Sequence, residues 1–137
     1  MHMPIIRHKY TTLSGVWDKP FTGNLKINSG INFVDLREEP SISGESGTGY
    51  TIVYEFTTKY GDDAATIKIA GELLYAAPKD EAKELADHWK EKKLLPEKTV
   101  LQVGNYCLLR AQMQAIAIAN DLGLQSPVQL PTFEAKK

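Results

Sequence analysis

The chain has 137 residues, 42% of them apolar, with sixteen Lys and Arg against seventeen Asp and Glu and a formal net charge of -1. This length fits a single domain spanning 1–137, and the apolar share separates it from disordered chains. The balanced charge argues against a basic surface for nucleic acid, and no stretch approaches the roughly 20 apolar residues of a membrane span, so neither nucleic acid nor membrane insertion is expected. The lone cysteine, Cys107, excludes an internal disulfide and fits a reducing, cytoplasmic setting. The first ten residues carry Arg7, His8 and Lys9 but no continuous apolar run, so no signal peptide is expected.

Strands come first. Pro4 to Leu13, with Ile5, Ile6, Tyr10 and Leu13, reads as a first strand. Ser14 to Thr22 holds Gly15 and Pro20 together with Val16, Trp17 and Phe21, and reads as a crossover loop with exposed apolar residues. Leu25, Ile27, Ile31 and Phe33 alternate with Lys26, Asn28 and Asn32, the period of a half-buried strand, and Ser29-Gly30 with the phase change at Leu36 suggests a bulge. Glu38 to Gly49 is rich in Gly, Ser and Glu and is expected to be a solvated loop.

The strongest strand pattern follows. Tyr50, Ile52, Tyr54 and Phe56 share one face, and after the turn Gly61-Asp62-Asp63 so do Ala65, Ile67, Ile69, Leu73 and Tyr75. The short turn makes an antiparallel hairpin, giving a four-stranded antiparallel meander with one apolar face. Helices close the chain. Pro78 to Lys93 reads as a short charged helix with Asp80 and Glu81 near its start and Ala82, Leu85, Ala86 and Trp89 as its apolar stripe. A long helix is expected from Pro96 to a left-handed cap at Gly123, followed by an extended tail with Pro127 and Pro131. Strands followed by helices define an α+β fold.

The long helix is apolar on two sides. At 100° per residue, Val100, Gly104, Cys107, Leu108, Ala111, Ala115, Ile118 and Leu122 gather on one side, with Tyr106, Leu109, Met113 and Ile116 nearly opposite. One sheet covers one side, so the second four are expected to form an oligomer interface with another copy.

Residues that carry chemistry have plainer explanations. The His and Cys residues lack ligand spacing, so no metal site is expected. Cys107 reads as a small buried apolar residue, His88 as a helix-surface residue, and Asp62-Asp63 as turn residues. The glycines around Gly44, Gly47 and Gly49 lack the Lys and helix start of a phosphate cradle. No nucleophile with a base and no nucleotide fingerprint is seen, so no enzyme activity and no cofactor is expected. Tyr10, Trp17 and Phe21 fit either a peptide groove or the core.

The layout resembles the SecB family of secretion chaperones, in particular its divergent archaeal-type members. Arg7-His8-Lys9-Tyr10-Thr11 is similar to the start of the family's first strand, Trp17 to Phe21 with Pro20 to its crossover loop, Asn24 to Asp35 to its second strand, and Thr66 to Tyr75 to its fourth. Pro127-Val128-Gln129-Leu130 and Phe133-Glu134-Ala135 resemble its closing segment. The resemblance implies a homo-dimer or homo-tetramer, a dimer of dimers with sheets outside and helices between. It also implies binding of non-native polypeptide in apolar grooves beside the crossover loop. Val16, Trp17 and Phe21 are then the groove candidates, with Leu130 and Phe133 as weaker ones.

The chain departs from the bacterial members, which are strongly acidic and meet the secretion motor through that charge and a C-terminal segment. Here the net charge is -1 and the chain ends in Lys136-Lys137, which weakens the case for the motor contact, and the charged helix from Pro78 to Lys93 is an addition. The leading expectation is an ATP-independent chaperone or polypeptide-binding protein, with protein export as one pathway. A second is a dedicated adaptor for one partner, as in a toxin–antitoxin pair. A third, a hot-dog-type acyl-thioester enzyme, places its long helix among the early strands, against the order seen here.

Overall fold

A computed structural model describes residues 5–20, 26–44, 47–61 and 63–125, with only the backbone described for 41–44. Four strands, β1 (Ile5–Trp17), β2 (Ile27–Gly44), β3 (Gly47–Tyr60) and β4 (Ala65–Pro78), form one antiparallel sheet in the order β1-β4-β3-β2. Helix α1 (Lys79–Lys92) follows, then a helical run made of α2 (Glu97–Thr99), a π-helical segment (Val100–Gly104) and α3 (Asn105–Leu122). The expected four-stranded antiparallel sheet followed by helices is present. Its meander is β2-β3-β4, and β1 crosses over to pair with β4.

The two central strands carry the core. On β3, Ile52, Tyr54, Phe56, Thr58 and Tyr60 are at most 1% exposed, and Ile67, Ile69, Leu73 and Tyr75 of β4 match them. This is the period-two alternation the sequence shows, extended by Thr58 and Tyr60. The opposite face is polar, with ion pairs Lys68–Glu55 at 3.7 Å and Arg37–Glu72 at 3.2 Å. Exposed pairs of this kind contribute about 0–1 kcal/mol each, so burial on the other face holds the sheet.

Two loop assignments are corrected. Val16 and Trp17 are the last residues of β1, not part of a loop: Gly15, Val16 and Trp17 pair with Ile67, Thr66 and Ala65. Of the expected loop from Glu38 to Gly49, residues 38–44 extend β2 and 47–49 begin β3, with Glu38 opposite Tyr50 and Gly44 opposite Gly47 across a register shift. In both places the polar and small residues reflect an edge strand whose side chains meet water, and backbone pairing is indifferent to that composition.

The helical run lies on the apolar face. Val103, Cys107, Ala111, Ala115 and Ala119 are 0% exposed and succeed one another at i+4. Such a row slants across a helix surface and so follows a twisted sheet. The expected inner face is therefore shifted. Val100 is 38% exposed and Leu108, Ile118 and Leu122 are flanks packed against the core. The π segment, with more residues per turn, breaks the 100° phase before Asn105. The run ends where expected, at Gly123 with φ 81°.

Small inner residues permit close approach. A Cβ on Gly15 would stand 2.5 Å from Ile118 Cγ2, so α3 sits against the β1 backbone there. A Cβ on Gly71 would stand 2.7–2.8 Å from the Tyr54 ring, which covers that glycine.

Helix α1 is pinned through Glu81, whose carboxylate accepts from Tyr75 Oη at 2.6 Å and Thr99 Oγ1 at 3.0 Å. Of its expected stripe, Ala82 and Leu85 are buried, Trp89 is partly buried and Ala86 is exposed. The left-handed cap is Lys93, with φ 57° and its N–H on Trp89 O at 2.8 Å.

Candidate functional site

Three apolar surfaces remain uncovered among the described residues. The first is a groove of about 490 Å³ between β2 and the start of the helical run. Ile31 and Phe33 of β2 form its floor, Leu94 and Leu95 of the α1–α2 connection one wall, and Leu101 and Leu108 the other. Gly104 opens it: its missing side chain leaves the Phe33 ring 3.9 Å from where a Cβ would stand. Strand β2 is an edge strand, and among the described residues no strand pairs with its outer side. An apolar cleft beside unpaired backbone donors and acceptors suits an extended polypeptide.

Sequence reasoning missed this groove. In sequence, Ile31 and Phe33 belong to the half-buried strand, Leu94 and Leu95 fall between the two expected helices, and nothing signals the π segment. The available signal was two adjacent leucines beside Pro96, where a solvated break would carry polar residues; Leu94 is 61% exposed and Leu95 is buried.

The second surface lies at the end of β1, where Trp17, Asp18, Lys19 and Pro20 border an open depression of about 390 Å³. Trp17 is 42% exposed, and its indole N–H donates to Lys19 O at 2.9 Å. The ring faces the helix side, 3.7 Å from where a Cβ on Gly123 would stand. Val16 is 50% exposed but pairs with Thr66, one residue out of phase with Trp17, so it faces the opposite side of the sheet. The structure does not bring Val16 and Trp17 into one groove. Phe21, Leu130 and Phe133 lie outside the described residues.

The third surface is the outer side of the helical run. Leu109 is 60% exposed and Met113 58%, with Leu101 at 64% one i+4 step before Asn105. Ile116 is half-buried. Tyr106 faces the β1 side instead, with the Arg110 guanidinium 5.4 Å from its ring centroid and donating to its hydroxyl at 3.1 Å.

Beside Tyr106 lies a polar cluster. His8 Nε2 is 2.7 Å from Tyr54 Oη, and the His8 ring meets Tyr10 edge-on at 4.7 Å. Tyr10 donates to Arg110 O at 2.9 Å. Burial, then the Arg110 charge, lowers the His8 pKa and keeps the ring neutral near pH 7. Burial raises the Tyr54 phenol above its ordinary range. These groups tie β1 to α3. Cys107, under the same helix, is buried and its thiol pKa is pushed up to about 12, the wrong direction for a nucleophile. Among the described residues no group of three His, Cys or carboxylate side chains converges on a metal position, and no helix is long and apolar enough to cross a membrane.

Among solved structures, the chain is similar to a SecB-like chaperone of Mycobacterium tuberculosis, Rv1957, in complex with a ChAD peptide from the Rv1956 HigA1 antitoxin. The TM-score is 0.58 with 12% identity over 95% of this chain and 88% of that one. No protein-family model and no curated protein matches the sequence. At this identity the likeness establishes the fold: a SecB-like α+β domain.

Proposed function

We propose that the protein is a homo-oligomeric, ATP-independent chaperone-like protein that holds extended, non-native polypeptide and turns nothing over. The observation that carries this reading is the open apolar groove beside strand β2, whose outer side pairs with no strand among the described residues. A strand edge supplies main-chain hydrogen bonds to any sequence, and the groove rewards apolar side chains, the combination a general polypeptide binder needs. The SecB-like fold supports it, because the similar chaperone is seen with a peptide. Trp17 and Phe21 form a second client contact at the crossover, with Leu130 and Phe133 of the tail contributing. Val16, on the other sheet face, contributes least. Leu109, Met113 and Ile116, flanked by Tyr106, meet a second copy of the chain. The reading places the protein in the cytoplasm without a cofactor.

The test is light scattering of an aggregating client without nucleotide. Protein in about stoichiometric amount is expected to suppress scattering. Trp17→Ala with Phe21→Ala is expected to keep the circular dichroism spectrum and weaken client binding about tenfold, the loss of roughly 1.4 kcal/mol expected for two aromatic contacts. Unchanged aggregation with the parent protein overturns the reading, and undiminished protection by the double variant removes the Trp17 surface from it.

A narrower reading, a dedicated adaptor of toxin–antitoxin type, draws support from the antitoxin peptide on the similar chaperone. Purification that brings down one stoichiometric partner favours it; many substoichiometric clients favour the general chaperone.

A further inference from the structure

We propose that the groove beside β2 selects among extended apolar segments by charge, preferring those that carry a carboxylate, and that Lys93 sets this preference. The inference rests on the polypeptide-binding reading and assigns that site a partner chemistry. Helix α1 and its connection build the wall that carries it. The chain leaves α1 through Lys93 in the left-handed conformation, a sharp turn that places Leu94 and Leu95 against the groove and Lys93 at its border.

Among the described residues Lys93 is the one cation lining the groove, and no carboxylate lines it; Asn32 and Asn105 are the other polar residues there. On the polar face of the sheet and at the β3–β4 turn, cations are paired: Lys9 and Arg37 with Glu72, Lys68 with Glu55, and Lys59 with Asp63. Lys93 has no ion-pair partner among the described residues, although its neighbours Lys90 and Lys92 share the last turn of α1 with Glu91. An uncompensated ammonium beside an apolar floor of Ile31 and Phe33 complements an apolar strand bearing an acidic residue. It also repels one bearing a basic residue, so discrimination arises from both signs. Strand addition to β2 fixes the peptide's register, which holds its charged residue at a constant distance from Lys93.

The test is fluorescence anisotropy with two dye-labelled ten-residue peptides that share an alternating Val and Leu core and end in either Glu or Lys. The full chain is expected to bind the Glu peptide about two- to fivefold more tightly at low salt, the range of a partly exposed ion pair, and to lose that preference at high salt. Lys93→Gln is expected to abolish the preference and Lys93→Glu to reverse it, both with unchanged circular dichroism. Equal binding of the two peptides by the parent, or a preference that survives Lys93→Glu, overturns the inference and leaves the polypeptide-binding reading standing. Binding of neither peptide by a protein that still suppresses client aggregation also overturns it alone. Binding of neither peptide together with no suppression overturns both.

Discussion

The two sides of the helical run reverse the usual order of side-chain size. The side against the sheet is Val103, Cys107, Ala111, Ala115 and Ala119, fully buried and small. The side away from it carries Leu101, Leu109 and Met113, each more than half exposed and large. A domain stabilised for solitary life gains about 1.5–3 kcal/mol for each large apolar side chain it hides. Here that gain is left unused on one side, while the inner side is trimmed so that α3 can lie close over the aromatic core of β3 and β4. Small inner residues serve approach, and large outer ones serve contact with something else.

The inner side is where substitution costs most. Phe56→Ala is expected to destabilise by about 3–5 kcal/mol, read as a lower urea midpoint, because the fixed helix cannot collapse into the void. Ala115→Leu adds bulk where α3 meets the sheet and is expected to cost about 1–3 kcal/mol by the same measurement. Gly15→Val falls in the same range, since its side chain meets Ile118 and Leu122. If these changes prove neutral, close approach is not what the small residues provide.

The outer side is expected to respond differently. Leu109→Ser is expected to change monomer stability by no more than about 0.5 kcal/mol in denaturant titration at low concentration, as for an ordinary surface change. A loss above that range would mean that the residue packs within its own chain.

The smallest expected effect concerns pH and the polar seam between β1 and α3. The pKa of His8 is lowered in the fold, so the unfolded chain binds the extra proton more readily. Stability is then full above the unfolded value near 6.5 and falls as pH drops through it toward the lower folded value. The parent is expected to lose more stability between pH 7.5 and 5.5 than His8→Gln, compared by thermal unfolding at each pH. Equal losses would show that His8 does not report on the seam.

Residues buried by periodicity alone were legible in the sequence. The alternation of Tyr50 to Phe56 and Ala65 to Tyr75 identified the core, and Gly123 identified the helix end, because both follow from local geometry. The ends of β1 and β2 were not legible, because edge-strand pairing depends on a neighbour distant in sequence and leaves polar composition free. The two-sided helix was visible from its phase, yet its inner row was displaced by a π segment that no residue pattern announced. The groove stayed hidden for a related reason. Its floor, walls and Lys93 come from three separated stretches that converge only once α1 turns back. The crossover residue Trp17 was recognised as exposed, whereas its separation from Val16 required the register.

The most direct test of the outer face is molar mass in solution by light scattering during size-exclusion chromatography, for the parent and for Leu109→Glu with Met113→Glu. The parent is expected at two or four chain masses, and the variant at lower mass with an unchanged circular dichroism spectrum. A monomeric parent, or a variant of undiminished mass, would contradict it.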